Sequence, residues 1–454
     1  MSEQGITETE GTRELKRVLG LKDLILYGIA MMVPIAPVAI YGSVTMVTQG
    51  HMALAYILAM IAMAFTGYSF GQMAGAFPKA GSTYVYTRRG LNQYLGLLSG
   101  WTILLDYVLM PIMSFIILAI FASTLFPAVS YWVWILGAII IVTFVNLRGV
   151  TSLAKMTTAL VIFMFAVLIY FVVSAVIGLS NGVGEGTLFS LSPFYKAETF
   201  QFSAILAGTA IACFSFLGFD AISTLAEETK DPAKNISVAI IIALVVVGFL
   251  FVLQAYLAQL IWPDFTTFPN LDSAFYFVAG EVGGQTLSVF LTLAIMIAGL
   301  ANALDAQAGC SRLLYGMGKD GVIPQKIFAY VHPKTQIPVI NILLLAVAAV
   351  IGATQSLETI ISMINFGALF AFVMVNLAVI GHYYFKEKRR GLKNTIRYLV
   401  VPAIGAVVCL LLWFSLSPLS KTAGFIWLAV GIIYTAVTTN FFRKPLPELR
   451  ETRI

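Results

Sequence analysis

Long uninterrupted apolar runs are the feature that most limits what this chain can fold into. A helix needs roughly 20 consecutive apolar residues to cross the roughly 30 Å hydrocarbon core of a bilayer, and runs of that kind recur along the whole sequence. Only 11% of the 454 residues are charged, against roughly a quarter in soluble domains. Too little polar surface remains to cover a water-soluble body. We therefore predict an all-α membrane protein whose solvent is lipid.

The apolar runs predict twelve transmembrane helices. Their residue ranges are 24–48, 52–76, 94–125, 130–147, 157–179, 202–225, 237–261, 286–311, 338–354, 358–384, 398–416 and 423–442. We divide the chain accordingly into a tail (1–22), a ten-helix core (23–384), two additional spans (385–442) and a second tail (443–454).

The placement of basic residues supports this count independently. If the N-terminal tail is cytoplasmic, 25 of the 27 Lys and Arg residues fall in cytoplasmic loops and tails, and only Lys196 and Lys421 fall outside. Such an excess on one side is what the positive-inside rule describes, and a miscount by one span would invert the later loops. We predict a multi-pass protein of the inner cell membrane with both termini cytoplasmic. Its net charge of +6 then reflects contact with anionic membrane lipids rather than with nucleic acid.

The sequence shows no pattern typical of a metal site, a cofactor site or an enzyme active site. The three cysteines fall in or at predicted spans, the three histidines are far apart, and no C-x-x-C pair occurs. Such spacing indicates neither a disulfide framework nor a metal site. There is also no catalytic triad or phosphate-binding loop, so we predict no catalytic residue and no cofactor. The polar residues 1–22 do not resemble a secretory signal peptide.

Carboxylates inside the predicted spans are the most informative residues, because a charge in lipid is costly. Asp106, Asp220 and Asp305 lie well inside, whereas no Lys or Arg lies deep in any predicted span. The missing positive charge could come from bound protons, a metal ion or a cationic ligand. Each aspartate could instead make a structural hydrogen bond to a neighbouring helix. Glu227 and Glu228, at the cytoplasmic end of the sixth span, are predicted to form an ion-pair gate with loop lysines.

Two spans contain residues that interrupt helices. Pro34 and Pro37 in the first span remove hydrogen-bond donors and clash with the preceding turn, and the sixth span carries Gly218 beside Asp220. Transporters built from inverted repeats bind their cargo where paired spans unwind. Interrupted spans five apart fit a five-plus-five inverted repeat followed by two extra helices, with substrate near Pro34 and Gly218.

Aromatic side chains could complete such a site. Phe216, Phe219, Tyr41 and Tyr107 lie in or beside the spans that carry the acids, and an ammonium over a ring face gains about 0.5–2 kcal/mol. The alternative for each ring is ordinary packing between helices.

Three sequence motifs resemble the amino acid–polyamine–organocation superfamily. They are residues 77–86 followed by Gly100 and Trp101, residues 215–220 followed by 227–229 and Pro232, and residues 311–321. The resemblance implies the leucine-transporter-like fold, with substrate between the first, third, sixth, eighth and tenth spans.

Within that superfamily, residues 101–107, 213–220, 330–334 and 364–369 look like bacterial putrescine importers. This resemblance implies an amine cargo driven inward by protons. Those importers carry an acid in the first span where this chain has Ala39, and a small polar residue where it has Asp305. These two differences are therefore also consistent with an amine cargo other than putrescine. Some superfamily members place a lysine in the fifth span where this chain has Met164, which argues against proton coupling through such a lysine here.

These observations lead to one hypothesis and several alternatives. We expect a proton-coupled importer of a small organic amine or polyamine that works by alternating access, with an ammonium held by Asp220 or Asp305 and with Asp106 in proton coupling or gating. A zwitterionic amino acid permease, or an exchanger of an amine for its precursor amino acid, remains open. A channel or a membrane enzyme is a rival from another class.

Overall fold

The computed structural model describes residues 17–78, 82–148, 154–226, 228–319, 323–333, 337–439 and 441. Glu227 and most of both predicted tails lie outside these residues. The described part of the chain is built from helices, with one isolated bridge between Leu19 and Thr229. The prediction of an all-α multi-pass membrane protein is confirmed.

Seventeen α-helices account for most of the described residues. They are α1 (Leu21–Met31), α2 (Ala36–Val47), α3 (Met52–Ala76), α4 (Ser82–Gly90), α5 (Gln93–Leu125), α6 (Tyr131–Arg148), α7 (Ala154–Ser180), α8 (Phe202–Ala212), α9 (Ala221–Thr224), α10 (Pro232–Ile261), α11 (Ala274–Lys319), α12 (Gln325–Phe328), α13 (Val339–Gly352), α14 (Leu357–Val379), α15 (Leu392–Thr395), α16 (Val401–Phe414) and α17 (Pro418–Thr438).

Shorter helical turns connect or extend some of these helices. Cys213–Phe216 and Phe265–Thr267 form 3₁₀ turns, and Ile380–Lys386 and Ile396–Val400 are π-helical. The long α11 is interrupted at Gly284, whose φ of 62° lies outside the helical region.

Ten helices in the described part of the chain are long and apolar enough to cross a membrane. The pair α1 and α2, bent by 50° at a short break, raises the number to eleven if it forms a single span. The predicted ninth span corresponds to α13, which has 14 residues and is therefore about 21 Å long, short of the hydrocarbon thickness. The count of twelve stays a prediction.

Helix α5 packs against helices from several parts of the chain. The helix α5 contacts α11, α14, α6 and α17, while α3 packs along α10 and α8. The last two long helices, α16 and α17, both pack against α14. Large apolar side chains that remain exposed, such as Ile140, Ile162, Phe249 and Ile433, cover helix surfaces where lipid would be the solvent.

Candidate functional site

The chain leaves helical geometry between α1 and α2. Helix α1 ends at Met31 and α2 begins at Ala36, and Val33 between them adopts a φ of 48°. Pro34 stands at this break because it has no N–H to donate. Its carbonyl oxygen, freed from the helix, accepts a 2.9 Å hydrogen bond from the side-chain amide of buried Gln254 on α10. A side chain of the neighbouring helix α10 therefore stabilises the break.

A second departure from helical geometry follows α8. Leu217 is extended, with ψ of 140°, and Gly218 adopts a φ of 108° that L side chains rarely take. A Cβ atom at Gly218 would lie 2.8 Å from the carbonyl oxygen of Met31. The two non-helical segments thus meet backbone to backbone, and only glycine permits this approach.

A cavity of about 90 Å³ lies where the two segments meet α5 and α11. We call it the central cavity. Its walls are Met31, Met32, Val33, Ala36, Ala39, Met110, Met113, Ser114, Ile117, Phe214, Ser215, Leu217, Ile295, Ala298, Gly299 and Asn302. None of these residues is acidic or basic, and most are apolar.

The few polar side chains of the central cavity are engaged with protein. The Asn302 amide of α11 donates a 2.9 Å hydrogen bond to the Ser114 hydroxyl of α5. The Ser215 hydroxyl shares a 2.8 Å hydrogen bond with the Tyr56 hydroxyl of α3. These bonds connect the walls of the cavity across helices and leave an interior suited to apolar groups.

Three aspartates lie together at one end of the central cavity. Asp106 is one turn before Met110 on α5, and Asp305 is one turn after Asn302 on α11, so each shares a helix face with a cavity wall residue. Asp220 follows the glycine of the second break. We call Asp106, Asp220 and Asp305 the acid cluster.

Electrostatic contacts show that the acid cluster is a single neighbourhood. Asp106 and Asp220 are close enough to act on each other electrostatically. Tyr27 of α1 is within electrostatic range of both Asp220 and Asp305, and Tyr107 of α5 is within range of Asp106 and Asp220. Groups from α1, α5, α11 and the segment after α8 therefore converge on one volume.

The acid cluster is open to solvent rather than sealed. Asp305 is exposed, Asp106 and Asp220 are half-buried, and 39% of Tyr107 is exposed although it lies among charged groups from several helices. The described protein residues therefore do not seal the cluster, and its side chains lie within electrostatic range of polar groups from several helices. One oxygen of Asp106, Oδ1, is buried and accepts no hydrogen bond from the described residues.

The acids of the cluster have no ion-pair partner among the described residues. The ion pairs there join Lys196 to Glu198, and Glu387 to both His382 and Arg389. Exposed Arg312, two turns beyond Asp305 on α11, acts on that carboxylate electrostatically without reaching ion-pair distance. The described part of the chain also contains no group of three or more His, Cys, Asp and Glu side chains placed to hold a metal ion.

Three of the predicted aromatic residues do not line the central cavity. Tyr41, Phe216 and Phe219 are 1%, 0% and 0% exposed. Tyr41 packs edge-on against Phe268 and Phe275. Its ring therefore contacts protein in this conformation.

Phe216 and Phe219 face the opposite side of their segment. Phe216 packs against Tyr56 and Phe251, and Phe219 packs against Phe70 and Phe372. Other rings pack against both side chains in this conformation, and that they cover an ammonium stays a prediction. Tyr107 is the predicted aromatic residue that faces the acid cluster.

Glu228 has a backbone role in the structure. Its carbonyl oxygen accepts hydrogen bonds from the N–H groups of Val18 and Leu19, at 2.9 and 3.0 Å. The segment before α1 is thereby tied to the segment after α9. The ion pairs between described residues do not include the Glu228 side chain, and Glu227, the other acid of the predicted gate, lies outside the described residues. The ion-pair gate with loop lysines stays a prediction.

Tyr27, Ser114 and Asn302 belong to the site but were not identified from the sequence. Tyr27 had no distinguishing signal, because a tyrosine in an apolar helix is common. Asn302 could have been found from its position three residues before Asp305, since side chains at that spacing share a helix face.

Comparison with known proteins places the chain in a family. Residues 23–438 match the amino acid permease family. The low-affinity putrescine importer PlaP of Escherichia coli (strain K12) is 36% identical over 451 residues, 98% of this chain and 99% of the relative. The branched-chain amino acid permease BcaP of Bacillus subtilis (strain 168) is 25% identical over 452 residues, 94% of each chain. The methylthioribose transporter of the same organism is 29% identical over 447 residues, 93% of each chain. From this match and the similarity to relatives along nearly its whole length, we conclude that the chain belongs to the amino acid permease family.

Proposed function

We propose that this protein is a secondary active importer that carries a small, putrescine-like organic amine across the inner cell membrane, coupled to protons. The observation that carries the proposal is the acid cluster. Three carboxylates from three separate segments lie in one electrostatic neighbourhood, without an ion-pair partner among the described residues. The likeness to a putrescine importer over 98% of the chain supports the same cargo class.

The candidate site has a charged part, the acid cluster, and an apolar part, the central cavity. This combination suits an amine with an apolar carbon chain. At an effective dielectric of about 20, an ammonium 4 Å from a carboxylate gains about 4 kcal/mol before desolvation is counted. The acid cluster can supply that interaction, and the adjoining central cavity can bury the carbon chain against Met110, Met113 and Ile117. Cargo would then lie across the boundary between the two regions.

The two breaks suggest how access alternates. Non-helical backbone at Val33 and Gly218 divides each span into halves that can tilt separately. The inner halves would move against α3 and α10, which pack together as a scaffold. Such rocking would expose the cargo to one side of the membrane at a time.

Asp106 is the proposed carrier of the coupling proton. Its buried Oδ1 accepts no hydrogen bond from the described residues, and Asp220 lies within electrostatic range. Two neighbouring carboxylates repel, and proton uptake by one of them removes that repulsion. Arrival of a cationic cargo would remove it as well, which links cargo and proton binding.

Uptake of labelled putrescine into proteoliposomes tests this proposal. We expect accumulation driven by an inward proton gradient, and a loss of at least about tenfold in Asp220→Asn, since a hydrogen bond to a charged group contributes about 1.5–3 kcal/mol. Asp264→Asn is the matched control. Asp264 is an exposed acid whose pKa is lowered by hydrogen bonds from Thr266, and it lies outside the acid cluster. Equal uptake by both variants would contradict the proposal.

A zwitterionic amino acid is the second candidate cargo, favoured by the apolar and uncharged walls of the central cavity. A branched side chain would fit such walls, and BcaP is a relative with a branched-chain amino acid in its name. Competition distinguishes the two, because an amino acid that blocks uptake while its decarboxylated amine does not would identify the permease. An exchanger would show uptake that rises when the vesicles are preloaded with amine or amino acid.

A further inference from the structure

A second cavity of about 840 Å³ lies beyond the central cavity, at the opposite end from the acid cluster. Its walls are Ile116, Ile120, Ser123, Thr124, Pro127, Tyr131, Trp132, Asn270, Asp272, Ser273, Tyr276, Phe277, Ala353, Thr354, Gln355, Ser356 and Leu357. Along α5, Thr124 is about 27 Å from Asp106, at 1.5 Å per residue. Ile117 of α5 lines the central cavity, and its chain neighbour Ile116 lines the second cavity. The distribution of Lys and Arg predicts that the second cavity faces the outside of the cell.

The second cavity carries negative charge. Asp272 is exposed in its wall, and half-buried Glu358 lies within electrostatic range of Asp272. The ion pairs between described residues include neither acid. Lys196 lies on the same predicted side but acts electrostatically on Asp264, away from the cavity wall. A cation entering this cavity would therefore meet the Asp272 carboxylate in the wall, with Glu358 within electrostatic range behind it.

Groups other than the acids also suit a primary ammonium. Ser273 is fully buried in the cavity wall, and its hydroxyl has no hydrogen-bond partner among the described residues. An ammonium has three N–H donors and needs acceptors of this kind. Tyr131 is within electrostatic range of Asp272, and Trp132 lies next to it in the wall, where a ring face can attract a cation.

We propose that the second cavity is a binding site for the ammonium group of an amine, which it holds on the outer side before the amine reaches the central cavity. The inference rests on the proposed function for the identity of its ligand. Asp272 and Glu358 supply the charge, Ser273 supplies a hydrogen-bond acceptor, and Tyr131 and Trp132 supply ring faces. The site would concentrate cargo on the outer side of the protein, and surface charges of this kind raise association rates most at low ionic strength.

Initial rates of putrescine uptake separate this site from the acid cluster. Asp272→Asn should raise KM by about tenfold, the loss expected for one charged contact, and leave the maximal rate near that of the wild type. Asp272→Glu keeps the charge and should restore most of the affinity. Asp264→Asn changes an outer acid that does not line the cavity and should leave KM unchanged. The rise in KM caused by Asp272→Asn should be smaller at high salt. It should be absent when efflux from loaded vesicles is measured.

The outcomes distinguish the inference from the proposed function. An unchanged KM in Asp272→Asn, or a fall in maximal rate alone, overturns the outer site while putrescine uptake by the wild type upholds the proposed function. A wild type that takes up no putrescine contradicts the proposed function itself. If Asp272→Asn does not fold, Glu358→Gln carries the same test, with a smaller expected rise in KM of about threefold. An unchanged KM in Glu358→Gln would then overturn the site.

Discussion

The central cavity and the acid cluster are neighbours with opposite chemistry. On α5 one helical turn separates Asp106 from the wall residue Met110, and on α11 one turn separates Asp305 from Asn302. One region has no charged wall residue, while the other holds three carboxylates. The contrast teaches that one helical turn is enough to pass from an apolar wall to a charged one. Under the proposed function, the non-helical segments border the space and the acids one turn away select its occupant.

The largest effect should come from disrupting the close contact between the backbone at Gly218 and the carbonyl oxygen of Met31. In Gly218→Ala, a side chain is forced into a φ of 108° and towards the Met31 carbonyl, 2.8 Å from the ideal Cβ position. We expect uptake to fall at least about tenfold and stability to fall by about 1–3 kcal/mol. Uptake assays and thermal unfolding of the purified protein would measure both.

Gly391→Ala is the matched control for this prediction. Gly391 has the same φ of 108°, but an ideal Cβ there meets nothing within 4 Å. The control should share the backbone strain and keep uptake near that of the wild type. Equal uptake by the two variants would show that the Gly218–Met31 contact does not matter for transport.

A smaller effect, on the preference among amines, should follow from introducing a carboxylate into the apolar wall of the central cavity. Ala39 lines the central cavity, and Ala39→Asp would place a carboxylate there, beside the stem of the proposed cargo. We expect the preference for a diamine over a monoamine of equal length to rise about fivefold, because a second ammonium gains a partner. Competition by the two amines against labelled putrescine gives the ratio. Ala39→Asn has the same shape without the charge, and an identical ratio in both variants would contradict this view of the cavity.

The smallest effect should come from a neutral contact within the central cavity. Asn302→Ala removes the 2.9 Å hydrogen bond to Ser114, which contributes about 0.5–1.5 kcal/mol. We expect uptake to fall about two- to threefold with an unchanged order of preference among amines. Ser415→Ala removes a hydroxyl that lines neither cavity and donates to the Leu411 carbonyl oxygen at the end of α16, 2.8 Å away, and should have less effect. A changed order of preference in Asn302→Ala would show that polar wall residues also select cargo.

The sequence predicted the helical elements directly, and it singled out the acids and aromatic residues without showing which way each side chain faces. Apolar run length indicates a span directly, and a carboxylate within such a run is too costly to be incidental. Helices that meet both lipid and other helices are apolar all round, so periodicity does not show which face points inward. For that reason Phe216 and Phe219 could not be assigned to the packed side of their segment before the fold was known. Tyr27 could not be identified as a residue of the candidate site for the same reason, because periodicity does not show that its side of α1 points inward.

Equilibrium binding of labelled putrescine to the purified protein tests the central claim most directly. We predict that an Asp220→Asn, Asp305→Asn double variant binds putrescine about 100-fold more weakly than the wild type, the loss expected for two charged contacts. Asp264→Asn, changed at an acid outside the cluster, should bind like the wild type. A double variant whose Kd equals that of the wild type would contradict the assignment of the acid cluster to the ammonium group.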